Sequence, residues 1–349
     1  MKNVTIIGHF GGDEVFTDGQ TVKTQNLYKE LVKQPGWKIT KVDTYYNNKN
    51  TLKLVIDTIK GIFKSKDIIA LVSGNGMKVY FPLLYLCHKL FNKRIYHDVI
   101  GGNLPEYVAK YPKYQKYLNG FKMNWVETEK LKKELKECGI NNVEVIPNFR
   151  RLKPVKCREL NACYSEPYRF CTFSRVTKEK GIEDAIAGIE NINRKFEKQI
   201  CTLDIYGCVD PAYKTSFDKI LEKSTDAIKY KGVINSNKSI DTLKKYYCVL
   251  FPTHWIGEGS AGTVCESFIA GVPVIATDWR FNSEMISDGY NGIIYPGKRA
   301  TTLESAILWV IDHNGQMIDI KKNCLESAEY YLPQKHIKNI VETLENDND

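Results

Sequence analysis

Two glutamates with seven residues between them, Glu258 and Glu266, stand in the run Gly257-Glu258-Gly259-Ser260-Ala261-Gly262-Thr263-Val264-Cys265-Glu266. An apolar stretch ending at Pro252 reads as a buried strand, and a helix opens near Gly262 and Thr263. Small residues let the backbone approach a ligand, and the amides at a helix start attract an anion, so this segment makes an anion site. A carboxylate repels phosphate. The two glutamates therefore suit hydroxyls: a bidentate acceptor fits the vicinal hydroxyls of a ribose or a sugar ring while the amides take a diphosphate. On residue chemistry alone a plainer reading stands beside it, with Glu266 capping an early helix turn and Glu258 a surface loop residue.

A second cluster is Phe173-Ser174-Arg175-Val176-Thr177-Lys178-Glu179-Lys180-Gly181. Arg175 falls at the carboxyl end of a strand and Lys180-Gly181 precedes a helix. The planar fork of an arginine and the mobile charge of a lysine can clamp a diphosphate; Lys178 and Lys180 as ordinary solvated residues are the alternative. His254 and Trp255, just past a strand end, can stack on or hydrogen-bond an acceptor, or the Trp can serve packing. His97 and Asp98 are neighbours in a strand, point to opposite faces and make no dyad. Gly11, Gly12 and Gly19 lack GxGxxG spacing, and no GxxxxGK[ST] loop occurs. Nicotinamide, flavin and nucleoside triphosphatase readings lose ground accordingly.

The elements that must position these residues alternate strand and helix along the chain. Asn3 to His9 is a strand followed by a glycine-bearing loop and a helix. Ile68 to Ser73 is a strand ending in Gly74-Asn75-Gly76, with a helix from Val79 to Leu90 behind it. Arg94 to Ile100 is a strand broken by Gly101-Gly102, and Leu118 to Phe121 a short amphipathic piece. A linker-like stretch from Phe149 to Pro167 separates this half from a second one that repeats the alternation. Continuous apolar strands of this kind suit mainly parallel sheets covered on both faces, with ligands at the carboxyl ends of the strands.

The chain's 349 residues are enough for two α/β domains, expected at 1–153 and 168–330, with a last helix from Gln334 to Leu344. No apolar run is long enough to span a bilayer and no signal-peptide pattern opens the chain, so the expected location is cytoplasmic. The ten cysteines form no CxxC pair and no metal cluster with the six histidines; Cys87, Cys171, Cys248 and Cys265 lie in apolar runs and read as buried thiols. The net charge of +9 is uneven: Met1 to Lys153 holds 26 Lys and Arg against 14 Asp and Glu. Such a half suits a membrane surface, a phosphate-bearing substrate or nucleic acid, or its lysines merely solvate helix faces. Aromatic and basic residues do not interleave as in RNA-recognition sheets, which weighs against nucleic acid.

Taken together, the glutamate pair, Gly271-Val272-Pro273-Val274-Ile275-Ala276-Thr277, Asn282-Ser283-Glu284-Met285-Ile286, Gly289 to Gly292, Arg175 with Lys180-Gly181, Ile146-Pro147-Asn148 and Gly207 resemble the signature of a known family. It is the large family of retaining nucleotide-sugar glycosyltransferases, family 4, to which many capsule and O-antigen enzymes belong. The resemblance runs in order along essentially the whole chain. It implies a GT-B fold: α/β, with two facing Rossmann-like domains, the acceptor mainly on the first, the donor mainly on the second, and the terminal helix packing back on the first.

Carried over by residue, the resemblance implies that Glu266 holds the ribose, Glu258 contacts the transferred sugar, and the backbone of Ala261, Gly262 and Thr263 meets phosphate. Arg175 and Lys180 would neutralise the leaving diphosphate, and Gly19 would let a helix start approach it. The donor would be a UDP- or GDP-sugar carrying a hexose or N-acetylhexosamine. The acceptor would be a glycan or an undecaprenyl-diphosphate-linked chain at the inner face of the membrane; a soluble acceptor is the runner-up. No cofactor or metal is implied, because cations and amides aimed at the β-phosphate stabilise the leaving group. The family often has a histidine at the end of the strand drawn here as Arg94 to Ile100. Either His97 reaches the donor site, or backbone at Gly101 and Gly102 replaces it, the latter preferred.

Overall fold

A computed structural model describes residues 1–12, 18–45, 51–161, 164–297 and 300–346. The chain divides into two compact units, Met1–Arg151 with Leu332–Asp349, and Leu152–Tyr331. The first unit holds strands β1 (Lys2–Gly8), β2 (Trp37–Asp43), β3 (Asp67–Leu71), β4 (Arg94–Asp98), β5 (Met123–Val126) and β6 (Val143–Val145). They pair in parallel in the order β2-β1-β3-β4-β5-β6. Parallel neighbours need a crossover, supplied by α1 (Gly19–Leu31), α2 (Thr51–Lys64), α3 (Gly74–Phe91), α4 (Leu104–Lys110), α5 (Lys113–Gly120) and α6 (Glu129–Glu137). Strand β3, Asp-Ile-Ile-Ala-Leu, is buried along its whole length, as a strand covered on both faces requires.

The second unit repeats the plan with β7 (Tyr168–Phe173), β8 (Cys201–Tyr206), β9 (Ile228–Gly232), β10 (Cys248–Phe251), β11 (Val274–Thr277) and β12 (Gly292–Tyr295). Their order is β12-β11-β10-β7-β8-β9, again all parallel. Its helices are α7 (Ile182–Lys195), α8 (Lys214–Lys223), α9 (Ser239–Leu243), α10 (Gly262–Ile269), α11 (Asn282–Met285), α12 (Ala300–Asp312) and α13 (Met317–Ala328). The last helix, α14 (Ile337–Glu345), returns to the first unit, where Ile340 and Leu344 are fully buried beside Val4, Ile6, Leu27 and Leu31. Among the described residues, no helix is long and apolar enough to cross a membrane. The four cysteines in apolar runs are buried, and burial pushes the Cys248 thiol up to about 12.

Several boundaries depart from the sequence reading for physical reasons. Gly74-Asn75-Gly76 is the first turn of α3 and not a loop: only Gly74 has positive φ, at 49°, and Ser73 precedes the turn in extended conformation. Strand β4 stops at Asp98, two residues short of Ile100. Two helices, α4 and α5, fill the stretch where only a short amphipathic piece was expected. The tyrosines of this stretch, Tyr107, Tyr111, Tyr114 and Tyr117, meet edge-on or tilted, with centroids 6.0 to 6.4 Å apart, and such residues hide from a count of aliphatic periodicity. The linker-like stretch is in part seated on the second unit, since the Val155 amide donates to Ile269 O at 3.0 Å.

Strand β4 also decides the fate of His97 and Asp98, which do point to opposite faces. His97 is fully buried, edge-on to Phe81 at 4.8 Å, and burial pushes its pKa down to about 3. It is a neutral core residue that does not reach a surface. Asp98 meets Lys23 of α1 at 2.6 Å, and the same ammonium contacts Glu127 at 2.9 Å and donates to Val99 O at 2.6 Å. Burial works to lower the Lys23 pKa, but the two carboxylates outweigh it and raise it. Burial raises Asp98 from 3.8 to about 6 against the pull of Lys23. An acid whose folded value exceeds its unfolded one adds stability at low pH and loses it as pH rises through the folded value. The stability gap between wild type and Asp98→Asn, from urea midpoints between about pH 4 and pH 6, should therefore widen in favour of wild type as pH falls. A gap that stays constant across that window would show that Asp98 does not titrate there.

Candidate functional site

In the second unit the chain proceeds outward from β7 through β8 to β9, then returns to place β10 on the other side of β7. The carboxyl ends of β7 and β10 flank that reversal, where open α/β sheets bind their ligands. The loop after β7 carries Arg175 and Lys180, and the loop after β10 carries Glu258. Strand pairing of Cys248 with Phe170 and Val249 with Cys171 makes the two loops neighbours although they lie far apart in sequence.

Close backbone approaches bring them together. Gly181 has φ +69°, and a Cβ there would fall 2.1 Å from Pro252 O. No other residue lets the β7 loop pass so near the end of β10. The His254 amide donates to Glu179 O at 2.8 Å, a second tie between the loops. Gly207, at the end of β8, has φ +140°, and a Cβ there would lie 1.8 Å from Ser174 O. At both positions a side chain is excluded by strain and by collision with backbone.

The outcome is a buried ion pair. Lys180 Nζ donates to Glu258 Oε2 at 2.6 Å, and Thr253 Oγ1 donates to the same oxygen at 2.8 Å. Side-chain exposures of 10% and 9% put both charges nearly out of water, which rules out the solvated reading of Lys180 and the surface reading of Glu258. The ammonium also lies 5.3 Å from the Phe251 ring centroid. The sequence marked both residues but not their contact.

Arg175 is placed differently. It is exposed, and its guanidinium lies 5.5 Å from the Trp255 ring centroid. Trp255 is thus a platform for a cation, its carbonyl fixed by Trp279 Nε1 at 2.8 Å. Arg175 and Lys180 share a loop but have separate partners.

Helix α10 starts next to this pair. Ala261 precedes it in extended conformation with no side-chain cap, and Ala261 O accepts from Val264 and Cys265. The Gly262 and Thr263 amides come before the first helical donors and point out of the helix end. Thr263 Oγ1 donates to Phe173 O at 2.5 Å, which moors the helix start to the end of β7. Gly262, Thr263 and Glu266 are half-buried and lie on one face by helical spacing, while Val264, Cys265, Ser267, Phe268 and Ile269 face the core. Glu266 is therefore on the same side as the amides of the helix start.

In the first unit, Gly19 opens α1 behind Asp18, whose carboxylate accepts from the Thr21 amide at 3.0 Å and from Thr21 Oγ1 at 2.6 Å. His9 Nδ1 shares the Thr21 hydroxyl at 2.6 Å, a connection the sequence did not signal. A Cβ at Gly19 would meet nothing within 4 Å, so packing does not demand a glycine there. Gly101 has φ +75° and is half-buried. Of the two options at the end of β4, backbone at Gly101 is the one that meets solvent.

Residues 156–327 match the family described as Glycosyl transferases group 1. That stretch is nearly all of the second unit. An uncharacterized glycosyltransferase of Methanocaldococcus jannaschii is 19% identical over 201 residues, covering 54% of this chain and 48% of its own. The chain thus spans about half the length of the curated relative it matches. Sucrose-phosphate synthase from Thermosynechococcus elongatus has a TM-score of 0.77 at 14% identity, with 99% of each chain covered. Anabaena HepE in complex with UDP and glucose gives 0.73 at 12% identity, also with 99% of each chain covered. The pneumococcal O-GlcNAc transferase GtfA in complex with UDP and GlcNAc gives 0.67 at 17%, over 86% of this chain and 60% of that one. These likenesses establish the fold, two Rossmann-like units of the GT-B class.

Removing one member of a buried ion pair leaves the other charge uncompensated and costs about 3–5 kcal/mol, whereas replacing both costs less. Lys180→Met and Glu258→Gln should each lower the urea midpoint of the second unit clearly. The double variant should regain part of that loss. Simple additivity of the two losses would mean that the pair is not coupled.

Proposed function

We propose that this chain is a retaining glycosyltransferase of capsule or O-antigen type. It moves a hexose or N-acetylhexosamine from a UDP- or GDP-sugar to a growing lipid-linked surface polysaccharide, acting as a peripheral protein on the inner face of the membrane. The observation that carries this reading is the buried Lys180–Glu258 pair beside the uncapped start of α10, at the reversal point of the second sheet. Two similar structures, one in complex with UDP and glucose and one in complex with UDP and GlcNAc, favour a uridine nucleotide over guanosine.

In this reading the diphosphate meets the backbone of Ala261, Gly262 and Thr263, and Glu266 accepts from the ribose hydroxyls. Glu258, oriented by Lys180 and Thr253, accepts from a hydroxyl of the transferred sugar. Arg175 lies outside the buried pair and is free in space to swing from Trp255 onto the leaving phosphate. As the glycosidic bond to phosphate breaks, charge grows on the β-phosphate oxygen; cations and amides aimed at it lower the barrier. The acceptor attacks from the same face, and the leaving phosphate takes its proton, so the anomeric configuration is kept. No metal is required for these steps.

A soluble acceptor is the second reading, favoured by the similarity to sucrose-phosphate synthase. Melting in the presence of a panel of UDP- and GDP-sugars identifies the donor, and turnover with a lipid-diphosphate acceptor with and without detergent separates the two readings. Because Arg175 is exposed, Arg175→Ala should leave the melting temperature unchanged while turnover falls about 10²-fold or more. Full turnover in that variant would remove Arg175 from the reaction.

A further inference from the structure

Helix α2 carries its large apolar residues on the outside. Leu52, Val55, Ile56, Ile59 and Phe63 recur every three or four residues, form one stripe, and are 40% to 73% exposed. The opposite face cannot trade places with them. Thr5 Oγ1 donates to Gly61 O at 2.8 Å, and a Cβ at Gly61 would meet Val42 at 2.8 Å, so the seat of the helix on β1 and β2 is fixed. Helix α3 adds Val79, Leu86, Leu90 and Phe91, each 50% to 65% exposed. The Phe63 and Phe91 rings meet at 5.4 Å, and Thr58 Oγ1 and Tyr80 Oη lie 3.2 Å apart. The two stripes are thus one face. Half of the large exposed hydrophobic residues among those described lie on these two helices, which is clustering and not the usual scatter.

The same helices are basic. Lys53, Lys60 and Lys64 on α2, Lys66 just after it, and Lys78 and Lys89 on α3 are all exposed. Lys93 lies over the Phe63 ring at 5.8 Å, at the join of the two stripes. Asp57 is the acidic residue of α2, and α3 has none. An apolar stripe flanked by lysines is the composition that lies in a bilayer interface, with side chains in the acyl boundary and ammonium groups among phosphates. A second copy of the chain fits less well. A two-fold contact through this face would set the lysines of one copy against those of the other.

We infer that the α2–α3 face docks the chain on an anionic lipid bilayer, with both helices in the plane of the interface. The inference rests on the proposed action at a membrane and identifies the surface that serves it. Its test reads binding without turnover, so a failure of docking and a failure of sugar transfer are told apart.

The full chain should sediment with mixed phosphatidylglycerol–phosphatidylcholine vesicles and not with phosphatidylcholine alone. Raising salt from about 0.1 M to about 0.5 M should weaken that binding. The double variant Ile59→Ser, Phe63→Ser should lose tenfold or more of the vesicle-bound fraction with an unchanged melting temperature, because both residues are exposed. Leu86→Ser, Leu90→Ser should do the same from α3, and Lys60→Gln, Lys64→Gln should flatten the salt dependence. Absence of wild-type sedimentation, or wild-type binding by both serine variants, overturns the inference. So does a solution dimer, seen by light scattering, that the serine variants convert to monomer.

Discussion

An ammonium and a carboxylate can occupy a nearly dry pocket only at contact distance, since either charge alone would be costly there. The second unit is arranged to keep Lys180 and Glu258 at that distance. Parallel pairing of β7 with β10 sets their loops side by side, Gly181 lets one loop pass against the carbonyl of Pro252, and the His254 amide ties them again. Thr253 completes the oxygen's partners, and Thr263 moors the start of α10 to the end of β7. Loops are usually the mobile part of an α/β domain. Here the two that matter are held by backbone contact and a shared charge pair.

The first unit solves a related problem with a different balance. Lys23 reaches from α1 to carboxylates at the ends of β4 and β5, so one cation serves two acids in the interior. Burial holds the Asp98 carboxyl group well above its ordinary range in spite of the pull of Lys23. Where the second unit matches charge for charge, the first sets one ammonium against two carboxylates.

Much of the fold was legible because the strands are continuous apolar runs bounded by glycines, as sheets covered on both faces demand. Legibility failed where the signal was of another kind. The tyrosine-rich α4 and α5 have little aliphatic periodicity, and Gly74 at the mouth of α3 looks like a loop residue because one position of positive φ is all the helix start needs. Within the site, the types of Arg175, Lys180, Glu258 and Glu266 marked them as candidates, but nothing in the string states that the second and third touch. Their contact depends on which strands are neighbours, and strand order is a property of the whole sheet. The burial of His97 was hidden for the same reason: alternation assigns a face but not what covers it, here Phe81 and Phe121.

Gly181 and Gly207 carry a consequence of another sort. At each, the space for a side chain is taken by a carbonyl of a neighbouring segment, so the choice of residue is settled by the backbone path and owes nothing to any particular sugar or acceptor. Most positions of a fold can drift while the path is kept, as 12% to 17% identity at TM-scores of 0.67 to 0.77 illustrates. Positions of this kind cannot drift without moving the path itself. They are fixed coordinates by which chains too divergent for ordinary comparison can be brought into register, and from which the distance to any varying residue can be counted.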